Sequence, residues 1–219
     1  MSHLRARIYD ALIADMTTQW YRAVLERLPE NCRLLDVGIG TGRALLENAG
    51  ALARKNIRVV GIDIDADYVA DCTRAVRQRH LEDRIEVKLE SVYDHQGGPY
   101  DAAYFSASFM LLPDPPKALR HVQSLLNPGG RVYFTQTFEQ RRSRIMEVVK
   151  PLLRLVTSID FGRVTYEADF RRTLADGGFV LEELTTLHAG PRRSSVLAAA
   201  SRSRGRGATP FPPTAVSQS

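Results

Sequence analysis

The segment Cys32–Lys55 most restricts what this chain can fold into. It reads as a short apolar run, CRLLDV, then a turn carrying Gly38, Gly40 and Gly42, then the helical stretch RALLENAGALARK. A strand that passes through a tight glycine turn into a helix has no hairpin partner, so the next strand lies parallel to it after a right-handed crossover. The pattern repeats along the chain. RVVGID is a second strand, followed by a helix over residues 66–80. IEVKLESV is a third strand, and YDAAYFSAS a fourth. KALRHVQSLL is a helix closing at Asn127-Pro128-Gly129-Gly130, and RVYFTQTF is the fifth strand. Residues 140–158 read as a helix kinked at Pro151, and YEADFRRTLADGG as a helix stopped by Gly177-Gly178. VLEELTTLH and SVLAAAS are two final strands whose short AGPRR link allows antiparallel pairing. The expected fold is α/β: a doubly wound, seven-stranded Rossmann-like sheet with its last strand antiparallel.

Ahead of this body, Leu4, Ile8, Leu12, Trp20, Val24 and Leu28 recur at steps of four or eight. That is an amphipathic helical pattern, expected to break near the β-branched pair Thr17-Thr18 and to end at Pro29. Three parts follow: an N-terminal helical cap over 1–30 acting as a lid, a domain over 31–200, and a disordered basic tail over 201–219, where Ser, Arg, Gly and Pro dominate without periodicity. With 44% hydrophobic and 25% charged residues the body has globular composition, which excludes a collagen-like or wholly disordered chain. Cys32 and Cys72 make no disulfide framework, and no apolar run is long enough to span a membrane, so a cytoplasmic protein, monomer or homodimer, is expected.

The net charge of +5 is localised. No acidic residue follows Glu183, whereas Arg192, Arg193, Arg202, Arg204 and Arg206 do, leaving residues 1–183 formally neutral. The basic character therefore belongs to the C-terminal end and not to a groove in the domain, which argues against nucleic acid as the main partner.

Small residues between a strand and a helix let backbone amides approach a ligand at the helix N-terminus, so the first turn implies a nucleotide-like cofactor. A dinucleotide fingerprint would need glycine where Arg43 stands, and a phosphate-binding Gly-Lys-Ser/Thr is absent. The run Asp36-Val37-Gly38-Ile39-Gly40-Thr41-Gly42 resembles the first motif of the class I S-adenosylmethionine-dependent methyltransferases, an acidic residue followed by G-x-G-x-G. The resemblance extends over about residues 31–188 through GIDID, ESVYD, YDAAYFSAS, LNPGGRVYF and GGFVLEEL, in family order.

The resemblance implies S-adenosyl-L-methionine as cofactor. It implies that Asp36, Gly38 and Gly40 line its methionine end, with Thr41 and Gly42 opening the helix. Asp63 would receive the ribose hydroxyls, Ile64 would pack on the adenine face, and Ser91 with Val92 would hold the adenine edge, Ser91 standing where the family often has Asp. Each has a structural alternative: Asp36 and Asp63 could cap helices, and the glycines could serve close packing. Ser106 and Ser108, just past the fourth strand, fall at the crevice where open α/β sheets bind ligands, or are ordinary loop serines.

Methyl transfer from a sulfonium is an in-line displacement that alignment and a dry site can accelerate, so a base is optional. Tyr9, His95, Tyr104, His121 and Tyr166 are candidates, and none is assigned as catalytic. The fourth strand lacks the Asp/Asn-Pro-Pro-Tyr/Phe motif of amino methyltransferases and carries no Pro-Cys pair. Asp101 has no accompanying ligands at metal-site spacing, so no metal is expected. What remains is a metal-independent enzyme acting on a small-molecule acceptor, with Tyr9, Ser108 and Tyr166 as candidate substrate contacts, Tyr9, Trp20 and Tyr21 as candidate pocket walls, and the stretch 140–165 as the other side. Two alternatives stay open. One is an RNA or protein methyltransferase using the Arg-rich tail together with Arg141, Arg142 and Arg144. The other is a non-catalytic methyltransferase-like partner subunit.

Overall fold

The computed structural model describes residues 2–139, 166–190 and 193–203, with the backbone alone described for 2–14. Tyr9, the helix and pocket wall expected within 140–165, and the tail from 204 onward lie outside what is described of side chains or chain. α1 spans Ser2–Arg27 and is followed by β1 (Arg33–Val37), α2 (Arg43–Leu46), α3 (Ala49–Arg54), β2 (Arg58–Asp63), α4 (Ala66–Gln78), β3 (Ile85–Leu89) and β4 (Tyr100–Ser106). After a 3-10 turn at Phe109–Leu111 come α5 (Pro115–Leu125), β5 (Leu126–Glu139), α6 (Glu167–Asp176), β6 (Phe179–Ala189) and β7 (Arg193–Arg202).

The strands form one seven-stranded sheet in the order β3-β2-β1-β4-β5-β7-β6. β1 to β5 are mutually parallel, and β7 runs antiparallel between β5 and β6. The expected doubly wound sheet with an antiparallel last strand is what forms. Alternating side chains divide the core in two. One face packs Leu35, Phe105, Phe134 and Val196 against α5 and α6 through Leu119, Val122 and Phe170. The other packs Leu34, Val59, Tyr104 and Leu197 against α1 to α4 through Val24, Leu28, Leu45 and Cys72. Cys32 and Cys72 are free and buried, and burial pushes both thiols up to about 12, which removes them as nucleophiles.

Several boundaries differ from the sequence expectation. α1 does not break at Thr17-Thr18. Its C-terminal half buries Trp20, Tyr21, Val24 and Leu25, with Leu28 buried just past its end, and docking outweighs the weak helix preference of two threonines. The single helix expected over 43–55 is two, α2 and α3, split at Asn48. The buried Asn48 amide donates to the Ala44 carbonyl at 2.8 Å and to the Thr18 carbonyl at 3.0 Å, tying the split to α1. β5 begins at Leu126, taking in the Asn-Pro-Gly-Gly turn through an irregularity in its pairing with β4. β7 carries Ser201 and Arg202, so strand continues two residues past the expected start of the tail, and the Ser203 amide bonds the Gly178 carbonyl. Arg193, also counted in the basic end, is a β7 residue 3.3 Å from Glu139.

Candidate cofactor cleft

The carboxyl ends of β1 and β4 open onto a cleft of about 560 Å³ lined by Gly38, Gly40, Thr41, Gly42 and Ser106 from the expected set; Asp36, Asp63 and Ile64 are not in its lining. The glycines follow β1, with Gly38, Gly40 and Gly42 all left-handed at φ 78°, 58° and 68°. Gly38 and Ile39 donate to the Ile62 carbonyl at 2.8 and 3.2 Å, fixing the turn to the end of β2. At Gly42 an added Cβ would fall 2.4 Å from the Cys72 sulfur, so the turn also lies close against α4.

Asp36 lies beneath the cleft, fully buried, pointing to the α1 face of the sheet. One of its oxygens accepts the Tyr21 hydroxyl of α1 at 2.8 Å, and the other, Oδ1, has no partner. Burial pushes the Asp36 carboxyl up to about 7; the Tyr21 hydrogen bond pulls it down and the Asp63 charge adds to the rise. Tyr21 is held far above the usual phenol range by burial and by the Asp36 charge. Its ring meets Tyr104 edge-on at 4.9 Å, and Tyr104 shares a 2.6 Å hydrogen bond with Thr135.

Asp63, at the end of β2, is not a helix cap. Its Oδ2 accepts the Gly40 amide at 2.8 Å and its Oδ1 the Asp65 amide at 3.0 Å, while Asp65 caps α4 through the amides of Asp67 and Tyr68. The sequence alternative therefore applies one acid along. Ile64 is 78% exposed beside it. Ser91 and Val92 follow β3. Val92 is buried, and the Ser91 hydroxyl accepts the Tyr93 amide at 3.2 Å, turning the loop. Neither lines the cleft floor.

Several expectations change. The Ser108 hydroxyl donates to the Val37 carbonyl, and its Cβ lies against Gly38, so it packs the glycine turn. Tyr166 begins α6 as its N-cap residue. His95 is buried between Glu90 and the Tyr100 hydroxyl, and His121 bonds the His95 carbonyl, so both hold the loop after β3. Tyr104 is engaged with Thr135. Trp20 is a core residue, 3% exposed, whereas Tyr21 reaches the cleft. Asp101 lies at the amino end of β4, away from the cleft, accepting the Arg33 amide and the Asn127 side chain. Thr17, Arg43 and Tyr68 also line the cleft and were not singled out; the position of Tyr68 in the first turn after the Asp65 cap was the available signal.

A methyltransferase-domain family model matches residues 5–184. The ubiquinone biosynthesis O-methyltransferase of Acinetobacter baumannii (strain AYE) is 25% identical over 165 residues, covering 73% of this chain and 68% of that protein. Among solved structures, the (4+2)-cyclase SpnF aligns with a TM-score of 0.68 at 20% identity, over 86% of this chain and 82% of its own. Geranyl diphosphate C-methyltransferase from Streptomyces coelicolor A3(2), solved with Mg2+, geranyl diphosphate and S-adenosyl-L-homocysteine, aligns with a TM-score of 0.67 at 16% identity, over 86% and 79%. A cyclase and a methyltransferase on one architecture show that the fold alone does not select the reaction. The family match begins within α1, takes in the glycine turn and β1 to β5 and ends inside β6, and by it this chain belongs to the methyltransferase-domain family.

Proposed function

We propose that the chain transfers the methyl group of S-adenosyl-L-methionine to an oxygen of a small-molecule acceptor, without a metal ion. The carrying observation is the buried, unpartnered Oδ1 of Asp36 at the end of β1, two residues before the first of the glycines that line the cleft. A fold rarely leaves a buried carboxylate oxygen without a donor, and a ligand that brings a cationic or N–H group there supplies one. The residues present fit the cofactor. Asp63 uses one acceptor position on each oxygen for backbone amides, leaving a second on each for the ribose hydroxyls. The open side of Gly40, where an added Cβ would meet nothing within 4 Å, leaves room above the turn. Ile64 offers an apolar face at the rim.

When bound, S-adenosyl-L-methionine supplies an electrophilic methyl on a sulfonium. The chain's own contribution is placement. Asp36 and Asp63 fix two ends of one ligand, the glycine turn admits it against backbone, and Tyr21 carries α1 down onto the Asp36 side, keeping water from that edge. The O-methyltransferase relatives support oxygen as the accepting atom, and the formal neutrality of residues 1–183 supports a small molecule over nucleic acid.

Calorimetry with S-adenosylmethionine and S-adenosylhomocysteine tests this reading on the wild type and on Asp63→Ala. Wild type is expected to bind in the micromolar range. The variant, losing both hydroxyl acceptors and the Gly40 restraint, is expected to bind weaker by about 1.5–3 kcal/mol. A wild type that binds neither ligand removes the proposal.

A further inference from the structure

The α1 face of the sheet carries three hydroxyls side by side at the cleft. Tyr104 of β4 is the register partner of Asp36, and Ser106, two residues on, is the partner of Thr135 on β5. Side chains alternate along a strand and agree across a pair, so Tyr104, Ser106 and Thr135 share the face to which Asp36 points. Tyr104 and Thr135 are both 0% exposed and share a hydrogen bond of 2.6 Å. Ser106 is half-buried, bonds the Tyr104 hydroxyl and lines the cleft.

Each hydroxyl has one hydrogen to give, and burial decides the order in which they are given. Among the described residues Tyr104 is the hydrogen-bond partner of the Thr135 side chain. If Tyr104 donated to Thr135, the Thr135 hydrogen would be buried without an acceptor. The opposite order satisfies both buried hydrogens: Thr135 donates to Tyr104, Tyr104 donates to Ser106, and the Ser106 hydrogen is left for the cleft. Burial also raises the Tyr104 hydroxyl above the usual phenol range, so it keeps its proton and passes on only a direction. Asp36 thus presents an acceptor without a donor, Oδ1, and Ser106 presents a donor one strand across and two residues along, about 8 Å between Cα atoms at sheet spacings. The head of an α-amino acid matches that pair, with its ammonium on the acid and its carboxylate, borne by the same carbon, on the hydroxyl. We infer that Tyr104 and Thr135 are positioning residues that hold the Ser106 hydroxyl as a donor to the carboxylate at the methionine end of the cofactor. The ligand's identity rests on the reading of S-adenosyl-L-methionine as cofactor; the order of the three hydroxyls stands without it.

The test compares S-adenosylhomocysteine with decarboxylated S-adenosylhomocysteine, which keeps the amine and the nucleoside, by calorimetry on the full chain. Ser106→Ala is expected to weaken the carboxylate-bearing ligand about tenfold and the amine less than twofold. Tyr104→Phe keeps the ring and removes one hydroxyl. It is expected to weaken S-adenosylhomocysteine at least threefold and the amine less than twofold, and to add less than twofold to the loss in a Ser106→Ala background. Tyr104→Phe combined with Thr135→Val removes both buried hydroxyls, and is expected to recover the about 2–4 °C of Tm that Tyr104→Phe alone loses while its affinity stays low. A Tyr104→Phe protein that binds S-adenosylhomocysteine like wild type overturns the inference. So does one that weakens both ligands alike, or whose loss adds in full to that of Ser106→Ala, since Tyr104 would then serve the fold. Wild type that binds neither ligand strikes the proposed function instead. The order of the hydroxyls is then read from the Tm of Ser106→Ala, expected to fall by about 2–4 °C because the Tyr104 hydrogen loses its acceptor, and an unchanged Tm overturns that order as well.

Discussion

At Gly38 a methyl group has no room. The backbone is left-handed at φ 78°, and an added Cβ would fall 2.5 Å from the Ser108 Cβ, whose hydroxyl is tied to Val37. Gly40, two residues on, is equally left-handed but open, with nothing within 4 Å. The pair separates folding from binding. Gly38→Ala is expected to cost about 2–4 kcal/mol of stability by denaturant unfolding, combining strain with a forced shift of Ser108. Gly40→Ala is expected to cost about 1 kcal/mol, the left-handed penalty alone, yet to weaken S-adenosylmethionine binding at least tenfold by placing a methyl in the cleft. Equal stability losses in the two variants would contradict this division. The glycine motif and Asp63 were legible because their spacing is local: strand, turn and helix follow one another in the chain. The packing role of Ser108 was not legible for the same reason. Which way a residue past β4 points depends on contact with Val37, across the sheet, and no local pattern carries that. Thr135 was invisible in the sequence, since a hydroxyl in an alternating strand looks like any solvent-facing position until its burial is known.

α1 is the element on which the site depends without supplying its motif. Trp20, Val24, Leu25 and Leu28 anchor its C-terminal half in the core. Arg27 makes a two-pronged contact with Glu183 of β6, and Lys55 reaches the carbonyls of Leu25, Glu26 and Leu28. The Tyr21 hydroxyl on Asp36 is a polar link from α1 to the buried acid that precedes the glycine turn. Tyr21→Phe keeps the ring against Tyr104 and all of these anchors, so the helix is expected to stay docked, with a stability loss of only about 1–2 kcal/mol. Asp36 then loses the one contact that pulls its carboxyl down, and the pH midpoint of cofactor binding is expected to move upward relative to wild type; an unmoved midpoint would show that Tyr21 does not tune the acid. The helical stripe from Leu4 to Leu28 was readable as a helix, but its expected break was not real. Propensity at Thr17-Thr18 is worth tenths of a kcal/mol, and the burial of five large side chains just beyond it outweighs that. The division of α2 from α3 reverses the lesson: a continuous helical pattern is interrupted because Asn48 bonds a carbonyl of α1, a partner thirty residues away.

Over the whole molecule, Asp36 is where ligand, α1 and solvent pH are expected to couple. The folded protein raises this carboxyl from 3.8 to about 7, so it holds the proton more tightly than the unfolded chain does. By linkage, the Asp36 contribution to stability is most favourable below about pH 4, declines as pH rises from 4 to 7, and is constant above. A cationic ligand acts in the opposite sense. It favours the ionised carboxylate, lowers its pKa and expels the proton, so binding near pH 6 is expected to release up to one proton per molecule, and near pH 8.5 almost none from this group. The apparent affinity for S-adenosylmethionine is therefore expected to rise by up to tenfold per unit from pH 5.5 to 7 and to level off above 8. Calorimetry at pH 6 in two buffers of different ionisation enthalpy reads the proton directly. Asp36→Asn, which cannot ionise, is expected to show buffer-independent heats and to lose the decline in stability that Asp36 contributes between pH 4 and 7. Wild-type heats that do not depend on the buffer at pH 6 would mean that Asp36 is already ionised in the free protein, and that the burial of the cleft floor leaves its charge in place.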